Sequence, residues 1–214
     1  MLLSPLRLRL TSPAIRIKLP LTGITMTNFS TSPGAAPSIY ETEKYIFFYG
    51  HELQLPSGHL QQWFPSSFTS PSHPGIRFQT AEHYTMYRKA MTFSDDATAT
   101  RVVEAATPNE ARSLGREVRG FDGDVWKRVV AEVAEETNWL KFSQVGECRD
   151  ALLGTGEKVL VEANPDDRNW GIGFRGDEAE GHEEEWGRNL LGKALMRVRS
   201  RLRKDGTGGG EQRL

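Results

Sequence analysis

Cysteine is nearly missing: the 214 residues hold one, Cys148. An internal disulfide is excluded, and the usage fits a reducing compartment. Histidine is sparse as well. His51, His59, His73, His83 and His182 are scattered with no pair at ligand spacing, so no metal site is expected. No stretch approaches the ~18 consecutive apolar residues of a membrane span. Excess charge of either sign is also lacking. The formal net charge is −1, and nothing global points to nucleic acid or to an anionic membrane. What remains, 37% hydrophobic and 26% charged, suits a soluble globular domain with unstructured ends.

Acids are absent from the first forty residues, which carry Arg7, Arg9, Arg16 and Lys18 among many Ser, Thr and Pro. That composition matches an organelle transit peptide. Pro5, Pro13 and Pro20 would break the amphipathic helix such a peptide forms, and Met26 offers an alternative start. The expectation is a disordered extension over 1–41, with targeting to the mitochondrion as the alternative to a cytoplasmic location. The Gly-rich polar tail over 204–214 is expected to be disordered too. The folded domain is then 42–203.

Within it, Tyr45–Tyr49 is an aromatic run suited to a buried strand. The following Pro-, Gly- and Ser-rich stretch reads as loop, with 76–80 a second short strand. Thr80 can cap a helix that opens at Ala81. Another helix is expected from about Ser94 to Ala106. Thr107, Pro108 and Glu110 then make a capping box with proline at the first helical position. Asp122 or Asp124 can cap a helix over 124–142, whose apolar positions from Trp126 to Leu140 recur every three or four residues. A short helix over 146–156, a strand over 158–164 and a final helix from Asn189 to Arg203 complete the order. Helices dominate, strands are few, and no alternating βα pattern is present, so the fold class is α+β, predominantly helical.

Three polar stretches stand out. TAEHYTMYRKA (80–90) puts Glu82 and Lys89 seven residues apart on one helical stripe, with Met86 between them. Such a stripe is a solvated face or the wall of a site. VEANPDDRNWGIGF (161–174) leaves a buried strand with Glu162, Asp167 and Trp170. Either it forms a turn with the tryptophan plugging the core, or it offers a flat face for a base or sugar, with Gly171 letting backbone approach a ligand. Gly171 and Gly173 make no nucleotide fingerprint, because no helix pattern follows directly. GRNLLG (187–192) offers Asn189 as a helix N-cap or, with Arg188, as a phosphate contact. WFPSSF (63–68) is a further polar-aromatic loop, and DEAEGHEEEW (177–186) is an exposed acidic insertion.

Together these stretches resemble the YbiA-like or NADAR domain family. The likeness runs in order through FxTAEHYxxxxKA at 78–90, ATPxEAxxLGR at 106–116, WKxxV at 126–130 and KF at 141–142. It continues through LLxTGxxxLVEAxPxDxxWGxG at 152–173 and NxLGxALMxVR at 189–199. The resemblance implies a single mostly helical domain with a few short strands. It also implies N-glycosidase chemistry without a cofactor or metal, cleaving a bond between ribose C1 and nitrogen. The substrates implied are phosphoribosylated pyrimidine intermediates of riboflavin synthesis, or ADP-ribose attached to guanine. The partner is thus a nucleotide-like small molecule, with ADP-ribosylated nucleic acid as an alternative. Glu82, Lys89, Asp167 and Trp170 carry over as site residues, and Glu162 as a further candidate. Many family members have Ser-Asn-Phe/Trp where this chain has Gln61-Gln62-Trp63, a departure that bears on substrate choice and makes Gln62 and Trp63 candidates for contact.

The expected geometry is that Glu82, Lys89 and Asp167 converge on one pocket walled by Trp170. His83 and Arg88 should serve packing or surface. Glu82 and Asp167 would divide acid catalysis and stabilisation of the oxocarbenium ion. Lys89 would either hold an anion or attack C1 as an amine. The competing classes are a binding module that holds ADP-ribose or a nucleotide without turnover, and a helical interaction protein using the acidic loop.

Overall fold

Helices begin where a side chain can stand in for a missing backbone acceptor. In the computed structural model, which describes residues 39–50 and 56–208, Thr80 accepts from the His83 N–H and opens α1 (Ala81–Thr92). Asp95 caps α2 (Asp96–Glu104), and Thr107 caps α3 (Pro108–Arg116). Asp122 accepts from Asp124 and Val125 at the start of the long α4 (Gly123–Gln144). In the capping box Glu110 reaches back to the Ala106 N–H at 2.8 Å rather than to that of Thr107. Helix α2 starts two residues later than its sequence suggests, because Ser94 takes a left-handed φ of 56°.

The strands are short. Strand β1 (Tyr40–Glu41) pairs antiparallel with β2 (Tyr45–Phe48), so ordered structure begins ahead of residue 42. A second antiparallel pair, the hairpin of β3 (Phe68–Ser70) with β4 (His73–Phe78), lies in a stretch that reads mostly as loop. After α5 (Gly146–Gly154), β5 (Val159–Glu162) pairs parallel with β2, giving the sheet order β1-β2-β5. The chain then forms α6 (Gly176–Ala179), a 3₁₀ turn over Glu183–Glu185, and α7 (Leu190–Gly208), which runs past the expected end at Arg203. The fold is α+β and predominantly helical. Among the described residues no helix is long and apolar enough to cross a membrane.

Alternation along the strands sends side chains to two cores. Ile46, Phe48 and Leu160 meet Phe142, Leu152 and Leu195 on one face. Phe47 and Val161 meet Ile172 and Ala179 on the other. A third cluster joins the β3–β4 hairpin to α1, α2 and α3 through Phe68, Phe78, Tyr84, Val102 and Leu114. Helix α4 runs between two of these clusters, giving Leu140 to one and Phe142 to the other. It therefore buries polar side chains also, with Asn138 and Lys141 fully enclosed.

The acidic insertion is tied down rather than free. Its acids are exposed, but Ala179 is buried and the Trp186 indole donates to the Ala179 carbonyl at 3.0 Å. Trp186 also packs edge-on against Tyr45 and Phe47. Asn189 does not cap α7 with its side chain. Its φ is +48°, and its amide accepts from the Glu162 N–H at 3.1 Å while donating to the Leu160 carbonyl at 2.9 Å. The side chain therefore splices the helix start onto β5. Gly192 permits this approach, since a Cβ there would fall 2.1 Å from the Leu160 oxygen.

Candidate active site

The parallel strands β2 and β5 end side by side, and a cavity of about 550 Å³ opens beyond their carboxyl ends. Tyr49 and Gly50 extend from β2, and Glu162, Asn164, Asp167 and Trp170 from β5. Helix α1 supplies Glu82, Met86 and Lys89, the stripe expected from their spacing. The volume is in the range of small-molecule sites. Glu82, Lys89 and Asp167 thus line one cavity with Trp170, and Glu162, Gln62 and Trp63 line it too.

Glu82 is tethered through its backbone, whose N–H donates to the Gln62 carbonyl at 3.0 Å, and its side chain shares the cavity wall with Trp63. Burial pushes the carboxyl up to about 7, against the pull of Arg112 and of the Trp63 side chain. Glu162, 8% exposed, is pushed up to about 8, first by burial and then by the charges of Asp167 and Glu82. Among the described residues its Oε2 has no partner, nor do Gln61 Nε2 and Gln62 Oε1. Unpartnered buried atoms beside a cavity mark where a ligand or water completes the bonding.

Asp167 serves two ends. Its Oδ1 accepts from the N–H groups of Asn169 and Trp170 at 2.8 and 2.9 Å, which folds the turn. Oδ2 takes no part in that turn. Lys89 donates to the Gly115 carbonyl at 2.7 Å and lies 4.2 Å from the Phe121 ring centre. Burial, and next the nearby Arg116, lower its pKa.

Helix α3 adds residues that the sequence analysis did not select. Arg112 and Arg116 are exposed at the wall, and Gly115 lies between them. Gly115 brings α3 against α1, because a Cβ there would sit 2.1 Å from Met86 Sδ. Trp126, read as core-facing, also lines the cavity. The available signal was spacing: Arg112 and Arg116 share a helical face beside a glycine. Three expected contacts stand outside the wall. Gly171 is packed against backbone, where a Cβ would meet the Glu162 oxygen at 2.7 Å. Asn189 is committed to β5, and Arg188 is not among the lining residues. His83 is buried between Thr80 and the Ala105 carbonyl, and Arg88 pairs with Glu136, so both serve packing and surface.

The NADAR domain profile matches residues 47–203, which contain every residue of this cavity wall. The chain belongs to the NADAR domain family. N-glycosidase R617 of Acanthamoeba polyphaga mimivirus is 38% identical to it over 164 residues, covering 74% of this chain and 96% of its own length. N-glycosidase YbiA of Escherichia coli is 31% identical over 128 residues, covering 60% and 72%. The NMR structure of YbiA superposes with a TM-score of 0.63 at 26% identity, covering 82% of this NADAR chain and 93% of YbiA. The riboflavin biosynthesis protein PYRR of Zea mays, chloroplastic, is 31% identical over 183 residues, which are 81% of this chain but 27% of that protein. These named relatives support a glycosyl hydrolase of the N-glycosidase kind.

Proposed function

We propose that this NADAR protein hydrolyses the C1–N bond of a ribosyl group, on a ribosylaminopyrimidine phosphate or on ADP-ribosylated guanine. The observation that carries the reading is Glu82. A carboxyl raised to about 7 is partly protonated at neutral pH, stands at a cavity wall, and is flanked by further carboxyls and by cations. Breaking the bond places positive charge on C1 and the ring oxygen and negative charge on the departing nitrogen. Glu82 gives its proton to that nitrogen. Asp167 offers Oδ2 to the developing cation. Arg112 and Arg116 suit a phosphate or pyrophosphate, and Trp63, Trp126 and Trp170 give flat apolar faces for base and sugar.

Two routes use the same residues. Water attacks C1 directly, or the Lys89 amine does so and forms a Schiff base with the opened sugar, which water then cleaves. The lowered Lys89 pKa favours the free amine that the second route needs. Borohydride separates the routes: a trapped adduct in the wild type that is lost in Lys89→Arg selects the covalent one.

The deciding experiment incubates the protein with ribosylaminopyrimidine phosphates, and with ADP-ribosylated guanosine or DNA, and measures released base. Release is expected from one of them, with a loss of at least ~100-fold in Glu82→Gln. Activity should fall as pH rises through about 7, where Glu82 loses its proton. Binding of both substrates with release from neither would make the cavity a nucleotide-binding module instead.

A further inference from the structure

A lysine with no exposed surface and no carboxylate partner is a costly core residue. Lys141 is 0% exposed, in the last turn of α4, between the rings of Phe64 and Phe142. Among the described residues its amine has no carboxylate partner and donates to one carbonyl, that of Gln61, at 2.7 Å. One helical turn earlier Asn138, also 0% exposed, accepts from the Gln62 side-chain amide at 3.0 Å. The Asn138 orientation is fixed, because its own NH₂ donates to the Ala134 carbonyl at 2.8 Å, and a carbonyl only accepts. Two enclosed polar side chains of α4 thus grip successive residues of one short segment. The next links lead to the acid: Gln62 O accepts from the Glu82 N–H, and Trp63 lines the same cavity wall as the Glu82 carboxylate.

We propose that Asn138 and Lys141 form a buried clamp that holds the Gln61–Trp63 segment against the start of α1, and so keeps the Trp63 side chain at the cavity wall with the Glu82 carboxylate. The two are positioning residues, since neither lines the cavity. The charges that face Glu82 are Arg112 and Arg116 from α3 together with Asp167 and Glu162 from the β5 side; Lys141 is not among those that shift it. An effect of Lys141 on Glu82 therefore has to travel through the segment. The Trp63 side chain favours the charged carboxylate, so slackening the segment raises the Glu82 pKa. The proposal deepens the reading of Glu82 as the acid and rests on it only for its catalytic consequence.

The test needs no turnover. In full-length protein carrying ¹³C-labelled glutamate, the Glu82 carboxyl is identified by its disappearance in Glu82→Gln and titrated by NMR. Trp63→Phe should raise its midpoint by on the order of half a pH unit or more, and Lys141→Met should raise it comparably. The double variant should add little to either, because both break one chain of contacts. An unmoved midpoint in folded Lys141→Met or in Trp63→Phe, or additive shifts in the double variant, would overturn the clamp. Should Lys141→Met fail to fold, Asn138→Ala releases the other grip and must show the same non-additive shift. Base release measured on the same proteins reports separately: a linked titration without hydrolysis keeps the clamp and removes the glycosidase reading. Hydrolysis with an unlinked titration does the reverse.

Discussion

Glu162→Gln should make the protein more stable, and the gain should depend on pH. In the folded state the Glu162 carboxyl rises from 4.5 to about 8, chiefly through burial and then through Asp167 and Glu82. A carboxyl with a raised folded pKa takes nothing from stability below its unfolded value. As pH climbs from 4.5 to 8 the unfolded chain releases the proton while the folded chain still holds it, and stability is lost throughout that window. At about 1.4 kcal/mol per pH unit, the full displacement corresponds to roughly 5 kcal/mol above pH 8. Part of this is repulsion shared with Asp167 and Glu82, and glutamine still buries a polar amide, so a gain of about 2–3 kcal/mol is the working figure. For a domain of this size that is about 5–10 °C in Tm. Thermal unfolding followed by circular dichroism should show the two proteins melting within roughly two degrees near pH 4.5 and separating by that amount at pH 9. A constant difference across pH, or a wild type that melts higher at pH 9, would refute the placement of Glu162 as an enclosed carboxyl among other carboxyls. The same variant should lose activity, since a site that holds acids together gives up stability to do so.

Gly171→Ala should lower stability by about 1–3 kcal/mol, because the new Cβ meets the Glu162 and Asp167 carbonyl oxygens at 2.7 and 3.0 Å and neither backbone atom can step aside. It should also lower kcat by displacing the Asp167–Trp170 turn, and an unchanged Tm would show that the turn has room to spare. Replacing Arg112 and Arg116 together by glutamine should raise KM for a phosphorylated substrate roughly fivefold per guanidinium at these exposed positions, with a smaller change for the dephosphorylated analogue. Equal changes for both substrates would remove the arginines from phosphate binding.

What could be read from the sequence was what depends on neighbouring residues. The caps at Thr80, Thr107 and Asp122 declare themselves because side chain and backbone partner lie within three residues. The Glu82–Met86–Lys89 stripe follows from helical period alone. The β3–β4 hairpin was legible only in part, since Pro71, Pro74 and Gly75 argue for loop. Proline and glycine survive there because the sheet is two-stranded and each strand is an edge. Arg112 and Arg116 look like an ordinary solvated helix face until α3 is set against α1. Asn189 looks like a cap, and only the tertiary approach of α7 to β5 shows its amide bonded elsewhere.

That amide has a consequence for the protein in a crowded solution. Strand β5 lies at one edge of its sheet, where unpaired backbone groups would be open to another chain's strand. Asn189 occupies the Leu160 carbonyl and the Glu162 N–H as a strand residue would, and Ile172 donates to the Glu162 carbonyl at 3.0 Å. At the far edge, β1 is two residues long. The β5 flank is thereby occupied and the β1 flank is short, so the apolar strands are packed on both faces while offering little template for edge-to-edge aggregation.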